Sequence, residues 1–251
     1  MIPKIIHFCW LSDDPFPASI QACIDSWKRV LPDYEIIKWD RKKFDIESVP
    51  YVKEAYEAKK YAFCADYIRI YALYHYGGIY LDSDVMVYKP FEPFLNFHSF
   101  FSVEFFSYFL YAHISNKQER LVGIEAAVLG AEKGASWLND VLKYYEGRHF
   151  TLNSKELKKN IMPRVIARVL HAKYGFQYYP IFQRLTNGME VYPAEVFSSK
   201  AADGCPIKYS THLGANSWGF GGNETHNKIR NILEKLHLLS FTRKLRGISE
   251  H

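Results

Sequence analysis

The sequence predicts an α/β fold, a sheet with parallel strands covered by helices. Three observations carry this. Short apolar runs alternate with longer stretches whose apolar residues recur at helical spacing. The first unit closes as strand, helix, strand, which calls for a parallel pair joined by a crossover. A length of 251 residues with 48% hydrophobic content suits one large globular domain, or a domain with a small appendage.

Residues 4–10, KIIHFCW, read as a short buried strand, and SDDPFP after it as a loop. Residues 18–31 place Ile20, Ile24, Trp27 and Leu31 on one helical stripe, which Pro32-Asp33 ends. Residues 34–39 form the second strand. Residues 52–76 read as one long helix, with Ala58, Tyr61, Ala65, Ile68, Ala72 and Tyr76 on a stripe and Gly77-Gly78 as its stop. A strand over 79–81 runs into two aspartates, and 85–88 resumes the extended chain up to Lys89-Pro90. Residues 97–106 and 124–129 read as strands and 136–145 as a helix. Residues 154–174 read as a helix interrupted near Pro163. The pattern over 176–222 is loop-rich with short strands. Residues 1–225 are read as one domain and 226–251 as a tail.

Charge separates these two parts. The net formal charge is +5, and residues 227–251, NKIRNILEKLHLLSFTRKLRGISEH, hold six Lys and Arg against two Glu. The remainder is near neutral, which argues against a broad nucleic-acid-binding face. Ile229, Ile232, Leu233, Leu236, Leu239 and Leu245 recur at near-helical spacing among those basic residues. The tail therefore reads as a basic amphipathic helix lying on an anionic membrane surface, or else as a helix packed on the domain with its charges in water. Cys9, Cys23, Cys64 and Cys205 are widely separated, which fits neither a zinc framework nor a disulfide scaffold, and read as reduced, buried thiols of a cytoplasmic protein. The opening, MIPKIIHFCWLSDDP, is too briefly apolar and too soon acidic for a signal peptide. No run approaches the ~18 apolar residues of a membrane span.

The chemistry concentrates at GGIYLDSDVMVYKP, residues 77–90. Asp82 and Asp84 interrupt an apolar run, and carboxylates are rarely buried there unless paired or bound to a metal. A D-x-D pair alone is a weak signal, since 11 aspartates in 251 residues give about 0.5 such pairs by chance. Its position strengthens it, because ligands of open α/β sheets bind beyond the carboxyl ends of the strands. Two carboxylates there suit Mn²⁺ or Mg²⁺, with phosphate completing the shell; the plain alternative is a pair of solvated turn aspartates. Upstream, Asp66 and Arg69 stand three apart on one helix face within a stretch of few other charges. Such an arginine would clamp a phosphate or sugar oxygen, or simply form a surface ion pair. Glu125 in VGIEAAVLG is another carboxylate in an apolar run. Downstream, THLGANSW (211–218) offers His212 as an imidazole ligand and a Gly-containing turn whose backbone amides would face a diphosphate.

IPKIIHFCW, ADYIRIYALYHYGGIYLDSDV and HLGANSW together resemble the DxD-containing sugar transferases of glycosyltransferase family 32, over roughly residues 2–220. Clostridial glucosylating toxins share the helix Asp and Arg placed sixteen residues before the DxD, here 82 − 66 = 16. Family 8 transferases have an ending similar to His212–Gly214–Trp218. The resemblance implies a GT-A fold with a Rossmann-like mixed sheet flanked by helices. It also implies a nucleotide-diphosphate sugar donor, by analogy a UDP-sugar, and retention of anomeric configuration. Within it, Asp82, Asp84 and His212 would hold Mn²⁺ or Mg²⁺, with Asp82 also able to contact the ribose. Asp66 would bind sugar hydroxyls, Arg69 the sugar or phosphate, and Ser217 and Trp218 the diphosphate. His7, Phe8 and Trp10 would frame the base by backbone contacts, and Trp39 would stack on it or fill the core. Asp66, Arg69 and Glu125 are the catalytic candidates. A saccharide or lipid-linked acceptor for surface polysaccharide follows, with the enzyme cytoplasmic and peripheral on the inner face of the membrane. Two other readings stay open. One is a DxD phosphohydrolase, although Val85-Met86-Val87 stands where its Thr or Ser belongs. The other is a catalytically silent sugar-binding subunit.

Overall fold

The first strand, β1 (Ile5–Cys9), divides the sheet into two faces because side chains alternate along a pleated backbone. Ile6 and Phe8 enter one apolar core and Cys9 the other. The computed structural model describes residues 1–105, 122–197 and 208–214. Helix α1 (Ala18–Val30) covers the Ile6 face with Ile20, Ile24 and Trp27, and β2 (Glu35–Trp39) pairs parallel to β1. Helices α2 (Pro50–Glu57) and α3 (Tyr61–Tyr76) cover the opposite face. The chain continues through β3 (Gly78–Leu81), β4 (Val85–Val87), β5 (Ser99–Phe105), β6 (Val122–Ile124) and β7 (Val128–Ala131). Next come α4 (Ser136–Tyr145), α5 (Ser154–Lys159), α6 (Met162–Tyr174), β8 (Gln183–Arg184), β9 (Met189–Tyr192), α7 (Ala194–Phe197) and β10 (Ser210–His212).

The main sheet has the order β2-β1-β3-β7-β5-β9-β8, with β6 on β5, and β4 and β10 form a separate ribbon. β3 is parallel to β1, while β7 is antiparallel to both β3 and β5. β1, β3 and β5 therefore end at the same edge. This is the Rossmann-like mixed sheet flanked by helices expected of a GT-A fold. Gly78 lets β3 lie against β1: its φ is +107°, and a Cβ there would sit 2.6 Å from the Ile5 carbonyl oxygen.

Two local expectations need correction. The long helix over 52–76 is two helices, because Lys59 takes a left-handed φ of 56° between them. The strand over 124–129 is two strands, β6 and β7, broken at Glu125–Ala127, where the Glu125 carboxylate accepts from the Ala127 amide. The interruption expected near Pro163 is present: α5 ends at Lys159 and α6 begins at Met162, with Pro163 in its first turn, where a missing N–H costs nothing. Cys9, Cys23 and Cys64 are buried free thiols. No helix among the described residues is long and apolar enough to cross a membrane. Cys205 and the tail over 226–251 lie outside the described residues.

His7 ties β1, β2 and the α3–β3 turn together. Its Nε2–H donates to the Gly77 carbonyl over 2.8 Å, and its Nδ1 accepts from the Trp39 indole over 3.1 Å. Both partners fix the neutral tautomer. Burial pushes the imidazole down to about 4, which the Gly77 carbonyl only partly opposes. Protonation thus favours the unfolded chain, so the stabilisation is complete above the ordinary histidine value of 6.5 and is lost as pH falls toward 4. We predict that the stability advantage of the parent chain over His7→Gln in denaturant unfolding shrinks by about 3 kcal/mol between pH 7 and pH 4. A pH-independent difference would refute this.

Candidate active site

The turn after β3 carries the two aspartates, and its backbone is held on two sides. The Asp82 amide donates to the Ala127 carbonyl over 2.9 Å, and the Val85 amide to the Asp82 carbonyl over 3.0 Å. Helix α1 fixes the strand that follows: the Trp27 indole donates to the Val85 carbonyl over 2.7 Å, and Ser26 Oγ accepts from the Val87 amide over 3.0 Å. Asp84 is 9% exposed. β10 runs antiparallel to β4 with His212 opposite Val85, and the Leu213 amide donates to the Asp84 carbonyl over 3.0 Å. This pairing delivers a distant histidine to the DxD turn.

Asp82, Asp84 and His212 each present a ligand atom, all within 4.8 Å of one another. Two carboxylates and an imidazole suit a hard to borderline divalent cation such as Mn²⁺ or Mg²⁺, so this donor set fits the expected metal. His212 Nε2 lies 3.3 Å from Asp84 Oδ1, and its Nδ1 lies 3.5 Å from Glu125 Oε1. Burial alone would lower the imidazole, but the Glu125 and Asp84 carboxylates outweigh it and raise His212 to about 11. In the acidic surroundings a cation can take the place of that proton.

Behind the turn, Arg69 is 2% exposed and Asp66 fully buried. Arg69 Nη2 lies 3.1 Å from Asp66 Oδ1, and Nη1 lies 3.4 Å from Asp82 Oδ1. Nη1 also donates to the Ala126 carbonyl over 2.6 Å, and Nε to the Ala65 carbonyl over 3.2 Å. The guanidinium stacks on the Tyr80 ring, 4.7 Å from its centroid, while the Tyr80 hydroxyl donates to Asp82 Oδ1 over 2.9 Å. Burial raises Asp82, and Arg69 pulls it back in part. Burial raises Asp66 to about 8 against the same guanidinium.

The structure brings Asp66, Arg69, Asp82, Asp84, Glu125 and His212 together at one sheet edge. It places His7 and Trp39 in the core, bonded to each other, and packs Phe8 on Trp27 with ring centroids 5.3 Å apart. Trp10 is half-buried beyond the end of β1, its indole donating to the Asp14 carbonyl over 2.9 Å. Ser217 and Trp218 lie outside the described residues. Two neighbours went unnoticed in the sequence. Tyr80 shares a strand face with Asp82 by simple alternation. Glu104, on β5, is a carboxylate in the apolar run FFSVEFF, the same signal that marked Glu125. Burial raises it to about 8, and Glu125 adds to that.

Residues 17–101 match a family model described as "Glycosyltransferase sugar-binding region containing DXD motif". The chain is 34% identical over 103 residues to inositol phosphoceramide mannosyltransferase 3 of Schizosaccharomyces pombe, a match covering 38% of this chain and 28% of that protein. It is 35% identical over 107 residues to mannosyl phosphorylinositol ceramide synthase SUR1 of Saccharomyces cerevisiae, covering 40% and 27%. The chain thus matches little more than a quarter of these relatives' length. Among solved structures, PaToxG glycosyltransferase aligns with a TM-score of 0.48 at 18% identity, covering 68% of this chain and 70% of that one. The galactosyltransferase LgtC aligns with a TM-score of 0.41 at 14% identity, covering 90% and 95%.

Proposed function

We propose that this chain, which carries a DXD-containing glycosyltransferase sugar-binding region over residues 17–101, is a metal-dependent, retaining hexosyltransferase. The donor is a nucleotide-diphosphate sugar, a UDP-sugar by the resemblance, and the acceptor a saccharide or lipid-linked saccharide of a surface polysaccharide. The observation that carries this reading is the meeting of Asp82, Asp84 and His212 above the buried Arg69–Asp66 pair. Relatives named as mannosyltransferases of inositol phosphoceramide add a mannosyl donor and a lipid-linked acceptor to the candidates.

Each side chain has a task in this reading. Asp82, Asp84 and His212 hold Mn²⁺ or Mg²⁺, which supplies Lewis acidity to the departing diphosphate. Arg69 keeps the Asp82 carboxylate charged and adds fixed positive potential on the leaving-group side. Asp66 accepts from donor-sugar hydroxyls. Glu125, held by the Ala127 amide, presents a carboxylate toward the positive charge that develops on the sugar. The backbone beyond β1, near Trp10, frames the base, and Ser217 and Trp218 cover the diphosphate. Residues 1–225 form the transferase domain. The basic stretch over 226–251 docks on the anionic inner face of a membrane, where a lipid-linked acceptor is found.

Two measurements test this. With Mn²⁺ present, the parent chain should hydrolyse at least one of UDP-glucose, UDP-galactose and GDP-mannose, and Asp84→Asn should lower that rate by roughly two orders of magnitude with an unchanged circular dichroism spectrum. Full turnover by Asp84→Asn in excess EDTA would reject the role, and absence of hydrolysis by the parent would favour a silent sugar-binding subunit. Separately, the full chain should float with anionic liposomes, and a chain ending at Asn223 should not. Equal flotation would remove the membrane assignment.

A further inference from the structure

The chain enters β8 through FQYYPIFQR, residues 176–184, and its rings divide. Phe176 is buried, and half-buried Tyr178 packs on Phe176 and His171 with ring centroids 5.4 and 4.8 Å apart. Tyr179, Ile181 and Phe182 instead stand 49%, 42% and 44% exposed. Single exposed apolar side chains are ordinary, whereas three large ones within four residues form a patch that marks an interaction site. The Gln183 side chain clasps the loop from inside. Its Oε1 accepts from the Gln177 amide over 2.8 Å, and its Nε2 donates to the Gln177 and Tyr179 carbonyls over 2.9 and 3.1 Å. The apex is therefore presented in a fixed shape, so less conformational entropy is lost when it is covered.

The loop also has a definite place. β9 is parallel to β5, and β8 is antiparallel to β9 with Gln183 opposite Val191. Residues 177–182 thus enter β8 from the edge at which β1, β3 and β5 end, the edge of the DxD turn. The order β3-β7-β5-β9-β8 separates the two by four strand spacings, or about 20 Å.

Charge around the loop is sorted by depth. Lys173 pairs with Asp140 over 2.6 Å, and Arg184 with Glu190 over 3.0 Å. The Lys173 side chain is 58% exposed against 15% for Asp140, and the Arg184 side chain 77% against 5% for Glu190. The acids are held back further by tyrosines: Asp140 accepts from the Tyr174 hydroxyl over 2.7 Å, and Glu190 from the Tyr192 hydroxyl. Cations therefore face outward beside the apolar apex, and the Arg184 guanidinium lies 6.0 Å from the Phe182 ring centroid.

We propose that the loop over 177–182 is a membrane-docking element, which seats Tyr179, Ile181 and Phe182 among the headgroups of an anionic bilayer and turns the DxD edge toward it. Aromatic and aliphatic side chains at a projecting apex, ringed by outward cations, are the combination suited to that interface. The inference rests on the lipid-linked acceptor reading above, since such an acceptor offers its sugar at headgroup level. Three half-exposed side chains are too few to hold the chain on a membrane alone. The loop strengthens and orients the contact made by residues 226–251.

The test uses the full chain and Tyr179→Ser/Ile181→Ser, which removes two apex side chains and no charge. Sedimentation with mixed phosphatidylglycerol–phosphatidylcholine vesicles gives the partition coefficient. The double variant should lower it by about tenfold, with an unchanged unfolding temperature and unchanged lipid-free donor hydrolysis. Vesicles should also slow hydrogen exchange of the parent chain's amides over 178–182. Equal partitioning of the two proteins, or vesicle protection that spares 178–182, overturns the docking role and leaves the transferase reading intact. Self-association without lipid that the double variant abolishes, with partitioning unchanged, assigns the patch to contact between copies and also overturns it. Failure of the parent chain to bind vesicles removes the loop and tail contacts together, while donor hydrolysis decides the transferase reading separately.

Discussion

A single guanidinium sealed beneath the DxD turn is the interaction on which the rest of the site depends. Arg69 sits between Asp66 and Asp82, donates to the backbone of the β6–β7 connection, and stacks on Tyr80. Without it two carboxylates would face each other in a poorly solvated space, and leaving a buried charge unpaired costs about 3–5 kcal/mol. The same Ala126–Ala127 backbone that receives Arg69 also receives the Asp82 amide and donates to Glu125. One short break between two strands therefore positions three of the carboxylates' anchors at once.

The architecture explains why so many acidic groups gather at one edge. β1, β3 and β5 run the same way, with β7 reversed between β3 and β5, so their carboxyl ends lie together. Asp82 follows β3, Glu104 lies next to last in β5, and Glu125 follows the β6 strand paired with it. β10 adds His212 from the far side by pairing with β4. An excess of carboxylates over nearby cations is unfavourable by itself and suits the binding of a metal ion.

Much of this was legible in the sequence for definite reasons. Amphipathic spacing located the helices over 18–30 and 136–145, since an apolar stripe is a local signal. Asp82, Asp84 and Glu125 stood out as charges in apolar runs. The break at Lys59 carries no glycine or proline to mark it. The split between β6 and β7 depends on a hydrogen bond of the Glu125 side chain rather than on a turn sequence. Neighbours on a strand point to opposite faces, so the side chains of His7 and Phe8 cannot share one site, and the structure sends one to Trp39 and the other to Trp27. Tyr80 was hidden among 19 tyrosines, because a ring's core role is readable from spacing and the direction of its hydroxyl is not.

The central claim is that Asp82, Asp84 and His212 act as one cation-binding unit beside a diphosphate. Anomalous scattering from crystals of the full chain grown with Mn²⁺ and a nucleoside diphosphate tests it most directly. The account predicts one strong manganese peak within coordination distance of Asp84 and His212, absent in crystals of Asp84→Ala grown the same way. A nucleotide seated at this edge with no manganese between it and these side chains would contradict it.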